Sequence, residues 1–232
     1  MARPSIAVVL LFLASAACGG ASTGHASRAT TAPRVVAKIR TGFKPCASVA
    51  YRGALYVVNY GAGTIVRIDP KRNRVTRRAR LGPQPCGLVS GGGALWIDGF
   101  GDNTIDKFDP KRFRIVRRIP VGSQPYDVAY AAGSVWSSNF GDGTVSRIDP
   151  RRGRVVAVVP VGTFPVDGVV GPDGYVWIPN QGANSVSRID PATDTVVDTV
   201  RVGPTPFVAR RGFGDVWVSN FGGFSVWRLR AG

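Results

Sequence analysis

The stretch Val121–Pro160, VGSQPYDVAYAAGSVWSSNFGDGTVSRIDPRRGRVVAVVP, decides the fold, because it recurs with substitutions along the chain. The proline that opens each copy falls at Pro45, Pro85, Pro125, Pro165 and Pro206. The glycine three residues earlier keeps the same step, at Gly42, Gly82, Gly122, Gly162 and Gly203. A fixed period of about 40 residues means an array of supersecondary units, each burying its apolar face against the next.

Each copy reads as four short strands. PYDVAYA turns at Ala132-Gly133 into SVWSSN, which turns at Phe140–Gly143 into TVSRID, and Asp149-Pro150 leads into RVVAVV. Val, Ile, Trp and Tyr favour the pleated backbone, while Asp-Gly and Asp-Pro favour turns. After residue 34 no stretch sustains a 3.6-residue apolar period, so no helix is expected there. The expected fold is all-β: a five-bladed β-propeller of four-stranded blades over residues 34–232. The last copy stops after SVWRLR. RVVAKIRTG (34–42) aligns with RVVAVVPVG (154–162), so the N-terminal strand is expected to complete the last blade and close the ring. The alternatives are an arc of a larger ring and completion by oligomerisation.

Outside the repeats, Met1–Ala17 reads as a signal peptide: Arg3, the apolar run IAVVLLFL, then small residues. Cys18 follows, and Gly19–Pro33 is polar and small, as in a tether. Small residues running into one cysteine resemble the lipobox of bacterial lipoproteins, which implies lipidation of Cys18. Ser15 departs from the commonest leucine, and plain secretion is the alternative. Either reading places the domain outside the cytoplasm. There Cys46 and Cys86, at equivalent places in adjacent blades, can form a disulfide if their Cα atoms lie within about 7 Å. Two buried thiols are the alternative. A lone cysteine pair is a poor zinc site.

Several recurrent residues have structural explanations. Tyr56, Trp96, Trp136, Trp177 and Trp217 are expected between blades rather than on a binding surface. Asn59, Asn139, Asn180 and Asn220 are expected to close turns, with a ligand-contacting ring as the alternative. Asp69, Asp109, Asp149 and Asp190 are turn residues. Asp102 and Asp142 sit in loops with too few oxygen ligands for calcium, so no metal or other cofactor is expected.

VGxxPxxVA, VWVSN, TVSRIDP and VVxxVPVG resemble the YVTN/YncE-like propeller repeat, over residues 34–232. They are also similar to the repeat of streptogramin (virginiamycin B) lyases and to NHL-type blades. The lyase resemblance implies His and Glu beside the channel with a magnesium ion. Here the residue after the opening proline is Cys46, Cys86, Tyr126, Val166 or Phe207, and before the turn asparagine stand Val58, Ser138, Pro179 and Ser219. All 14 acidic residues are Asp, and the only histidine, His25, lies in the tether. That acid–base set is missing.

Asp127 and Asp167, at one position in adjacent blades, are the remaining acid–base candidates, with backbone satisfaction as the alternative. The formal charge of +16 is the stronger signal. Lys71, Arg72, Arg74, Lys111, Arg112, Arg114, Arg151 and Arg152 follow the third strands of blades one to three. A solvated rim accounts for them, and so does attraction to an anionic surface. Outside the cytoplasm, lipid or cell-wall polymer, or another envelope protein, is favoured over nucleic acid. The reading is therefore a monomeric binding or scaffold propeller of the cell envelope without its own chemistry. A lyase- or hydrolase-like enzyme, or a small-molecule sensor at the channel mouth, is the alternative.

Overall fold

The computed structural model describes residues 33–231. The expectations for Met1–Ala17, for Cys18 and for all of the tether but Pro33 lie outside the described residues. From Ala37 onward the chain forms one unit. It contains five antiparallel sheets that follow one another along the sequence.

The first sheet is β1 (Pro45–Tyr51), β2 (Ala54–Asn59), β3 (Thr64–Asp69) and β4 (Arg74–Arg80). The second is β5 (Leu88–Gly91), β6 (Ala94–Gly99), β7 (Thr104–Asp109) and β8 (Arg114–Pro120). The third is β9 (Pro125–Ala131), β10 (Ser134–Asn139), β11 (Thr144–Asp149) and β12 (Arg154–Pro160). The fourth is β13 (Val169–Val170), β14 (Val176–Asn180), β15 (Ser185–Asp190) and β16 (Thr195–Arg201). The fifth holds β17 (Pro206–Gly212), β18 (Asp215–Asn220) and β19 (Ser225–Arg230). Each sheet is a meander in chain order, and the first strands β1, β5, β9, β13 and β17 pack side by side.

The apolar core lies between sheets. Tyr56, Val58 and Ile65 meet Leu95, Ile97 and Phe108. Trp96 and Ile105 meet Val128, Val135 and Ile148, and Trp136 and Val145 meet Val176, Ile178 and Ile189. Tyr56, Trp96, Trp136 and Trp177 are therefore core, while Trp217 in the last sheet is half-buried. Trp96, Trp136 and Trp217 each donate the indole N–H to a carbonyl in the strand before (Gly91, Ala131, Gly212). A cation from the third strand lies about over each ring, as Arg147 does 5.4 Å from the Trp136 centroid.

Two first strands are shorter than the repeat predicts. β5 begins only at Leu88, because the Asp98 carboxylate takes the Cys86 N–H at 2.6 Å. β13 is two residues long, opposite Pro179, which has no N–H for the ladder. The last sheet also differs from expectation. It has three strands, and residues 33–42 form none. Ile39 packs on Val57, Val66 and Ile68 of the first sheet, and the Thr41 hydroxyl donates to Asn59 Oδ1 at 3.0 Å. β19 thus keeps a free edge among the described residues, with Val226 63% exposed where Ile65, Ile105, Val145 and Val186 are fully buried.

Candidate functional site: carboxyls on the first strands

The second residue after each opening proline points the site out. In the five repeats it is Ala47, Gly87, Asp127, Asp167 and Val208. These first strands line a groove of about 740 Å³, and Ala47, Asp127, Asp167 and Arg210 are among its walls. Asp127 and Asp167 face each other closely enough to share a hydrogen bond when one carries a proton. Burial is the main cause that raises the Asp127 pKa well above the ordinary carboxyl range. The Asp167 charge and hydrogen bond add to it. Both effects shift Asp127 toward its neutral form relative to an exposed carboxyl.

Arg210, from β17, holds Asp167 through both guanidinium nitrogens, at 2.8 Å and 2.7 Å. The hydrogen bond to Asp167 raises the Arg210 pKa. Two carboxyls and one arginine from three consecutive sheets thus share one groove. A proton donor beside an anchored carboxylate is an arrangement suited to moving protons between substrate atoms.

A third carboxyl joins them from a different strand. Asp98, on β6, is 1% exposed. Its Oδ1 accepts the Cys86 N–H, and its Oδ2 has no partner. Burial pushes its pKa up to about 8. Asp98 occupies the place of Val58, Ser138, Pro179 and Ser219, just before the turn. Sequence reasoning passed over it because Gly99 breaks the asparagine series there. The signal was present: Asp98 is the single carboxyl at that position, and Gly87 faces it in place of a side chain.

Aromatic rings stand at the end of the groove where the first strands begin. Tyr126 meets Phe100 at 6.3 Å, Phe140 at 5.8 Å and Phe207 at 6.3 Å between centroids. Tyr60, Phe100 and Tyr126 wall a smaller pocket of about 300 Å³ whose other walls are Cys46 and Cys86. Those two cysteines are joined as a disulfide with Cα atoms 5.2 Å apart, inside the bridging limit. Burial is the main cause that raises the Tyr126 pKa, followed by the charges of Asp167, Asp127 and Asp98.

The remaining candidates separate from this cluster. Lys71, Arg72, Arg74, Lys111, Arg112, Arg114, Arg151 and Arg152 are all exposed, on the turns and fourth strands of the first three sheets. Asp69, Asp109 and Asp149 do turn chemistry: each Oδ1 accepts two following backbone N–H groups. The asparagines do not form a ligand-contacting ring. Asn59, Asn139, Asn180 and Asn220 are buried, and their amides donate to third-strand hydroxyls such as Thr144 and Ser146. Among the described residues, no three His, Cys, Asp or Glu side chains converge as a metal site. The donor set therefore does not fit the magnesium ion that the lyase resemblance implies. Among the described residues, no helix is long and apolar enough to cross a membrane.

Comparison with solved structures gives a streptogramin B lyase at TM-score 0.70 and 17% identity, covering 81% of this chain and 65% of that one. The chain thus spans less than two thirds of that lyase. A catalytically inactive virginiamycin B lyase from Staphylococcus aureus with quinupristin aligns at TM-score 0.71 and 18% identity, over 82% of this chain and 71% of that one. A functionally unknown protein from Desulfotomaculum acetoxidans aligns at TM-score 0.68 and 15% identity, over 82% and 70%. These likenesses show a shared β-propeller fold. Comparison with curated proteins gives no match. The family model described as glutamine cyclotransferase matches residues 19–172, more than half of the sequence, and the chain belongs to the glutamine cyclotransferase family.

Proposed function

We propose that this protein is an enzyme of the glutamine-cyclotransferase type, acting in the groove where Asp127, Asp167 and Arg210 meet. The observation that carries the reading is the carboxyl pair: an Asp127 whose pKa is raised by burial and by its neighbour, beside an Asp167 held by arginine. The reaction needs that division of labour. The α-amine of an N-terminal glutamine attacks its own side-chain carboxamide carbon, closing a five-membered lactam and breaking the C–N bond to ammonia. Asp167 takes the proton that the amine loses. Asp127 gives a proton to the departing nitrogen. The hydrogen bond between the two carboxyls then returns the proton from Asp167 to Asp127, so no outside reactant is consumed. Incubation with a glutamine-initiated peptide, with ammonia release as readout, tests the reading. Turnover in the native chain that Asp127→Asn abolishes supports it; absence of turnover, or its survival in that variant, overturns it.

A second reading rests on the eight exposed basic residues of the first three sheets. They would hold the domain to an anionic envelope component, lipid or cell-wall polymer, through charge. The leader-like Met1–Ala17 and Cys18 support a lipid-anchored, extracytoplasmic site, where such an attraction gains effective concentration. The spelling of the repeat, VWVSN and TVSRIDP, supports a YVTN/YncE-like subgroup with five blades.

A further inference from the structure

Three cations converge on a cleft that shares no wall with the carboxyl groove. The cleft has a volume of about 930 Å³, and Phe43, Lys44, Tyr60, Arg78, Arg80 and Gln84 are among its walls. The turn Tyr60–Gly63, between β2 and β3, builds it. The Tyr60 N–H donates to the Lys44 carbonyl at 2.8 Å, and the Gly63 carbonyl accepts the Leu81 N–H at 2.8 Å. The first bond draws Lys44 to the turn. The second draws in the end of β4, which carries Arg78 and Arg80. Glycine at position 61 lets the Phe43 ring lie against the turn, since a Cβ there would overlap the ring. Arg78 and Arg80 stand two residues apart, opposite Val66 and Thr64, so both leave the same side of the sheet.

The repeat explains why these cations lack partners. In the second sheet Arg118 pairs with Asp106 at 3.1 Å, directly across the β7–β8 ladder. In the first sheet Val66 stands in that place, opposite Arg78. Among the described residues, no ion pair includes Lys44, Arg78 or Arg80. Asp102 reaches the backbone at Gly82, but it accepts the Thr104 hydroxyl and is not one of the walls. Three like charges on one cleft repel one another, and an anion between them relieves the repulsion. Two guanidinium forks and an ammonium group suit a tetrahedral oxyanion better than a single planar carboxylate. The Phe43 and Tyr60 rings offer apolar contact to whatever the anion is attached to. We propose that this cleft binds a phosphate group through Lys44, Arg78 and Arg80. A soluble ester and a lipid headgroup both carry that chemistry, and the test separates them. The site stands independently of the cyclotransferase reading, because it uses none of the groove's residues.

The test is calorimetric titration of the full chain with phenyl phosphate, inorganic phosphate and benzoate at one ionic strength, so that screening is equal. Phenyl phosphate is expected to bind at least about ten-fold more tightly than benzoate, and inorganic phosphate to compete with it. Arg78→Gln with Arg80→Gln is expected to lose this binding. Arg154→Gln with Arg201→Gln removes the same charge from the third and fourth sheets and is expected to keep it. All four arginines are exposed, so both double variants are expected to unfold at the native temperature. Equal binding of phenyl phosphate and benzoate, no binding of either phosphate, or equal losses in the two double variants overturns the proposal. Sedimentation with vesicles of phosphatidylglycerol and phosphatidylcholine identifies the source. Vesicle binding that falls in the Arg78→Gln, Arg80→Gln variant places the phosphate on a lipid headgroup, and binding unchanged there places it on a soluble ester.

Discussion

Asp98 reaches the carboxyl cluster because residue 87 is glycine: a Cβ there would lie 2.8 Å from Asp98 Oδ2. In the third and fourth repeats the carboxyl follows the opening proline, as Asp127 on β9 and Asp167 just before β13. In the second repeat it comes from the second strand, as Asp98 on β6. The consequence for stability has a definite sign. Burial raises the Asp98 pKa from 3.8 to about 8, so the folded protein holds a proton that the unfolded chain has lost. Stability then declines as pH rises through that interval. Denaturant midpoints measured at the two ends are expected to fall toward higher pH in the native chain, with a shallower fall in Asp98→Asn.

The recurrent glycine before each opening proline is a packing requirement. A Cβ on Gly122 would lie 2.7 Å from the Asn139 carboxamide, and one on Gly162 equally close to that of Asn180. Asn139 is fully buried and donates to Thr144 and Ser146. Gly122→Ala is expected to destabilise by about 1–3 kcal/mol through overpacking, and Asn139→Ala by a similar amount, about 1–3 kcal/mol, through the hydroxyls left unpaired. Thermal unfolding of both variants checks this.

The disulfide ties β1 to the segment before β5, across a sequence separation of 40. Closing a loop of that length stabilises by about 4 kcal/mol in the chain-entropy account. Cys46→Ser with Cys86→Ser is expected to unfold at lower denaturant, and the loss should appear in native chain treated with reductant.

The basic rim gives an ionic-strength prediction. Its residues are exposed, and the surface ion pairs Arg72–Asp69, Arg112–Asp109 and Arg152–Asp149 leave the cations in water. Binding to vesicles rich in anionic lipid is expected to weaken with added salt. Replacing Arg72, Arg74, Arg112 and Arg114 by Ser should remove it, and neutral vesicles should not bind. Salt-insensitive binding would contradict the charge-based reading.

Much of the fold was legible because the repeat is local. Pro125, the Asp149 turn and the Trp136 strand each carry their instruction within a few residues. The pairing of 34–42 with the last sheet is a non-local reading, resting on similarity to 154–162: residues 33–42 form no strand, while Ile39 packs on Val57 and Val66 of the first sheet, as its counterpart Val159 packs on the sheet after its own. The site was half legible. Asp127 and Asp167 share a repeat position, and that equivalence placed them together. Asp98 and Arg210 come from other positions in the repeat. Alignment of equivalents hides residues that reach one place from different strands.

The most direct test of the central claim is ammonia release from a glutamine-initiated peptide, compared between the native chain, Asp127→Asn and Asp167→Asn. Removing a proton-transfer group is expected to cost about 10²–10⁴-fold in turnover. The account predicts turnover in the native chain and losses of that order in both variants, with an N-blocked peptide inert. No ammonia from the native chain, or equal rates in all three proteins, would contradict it.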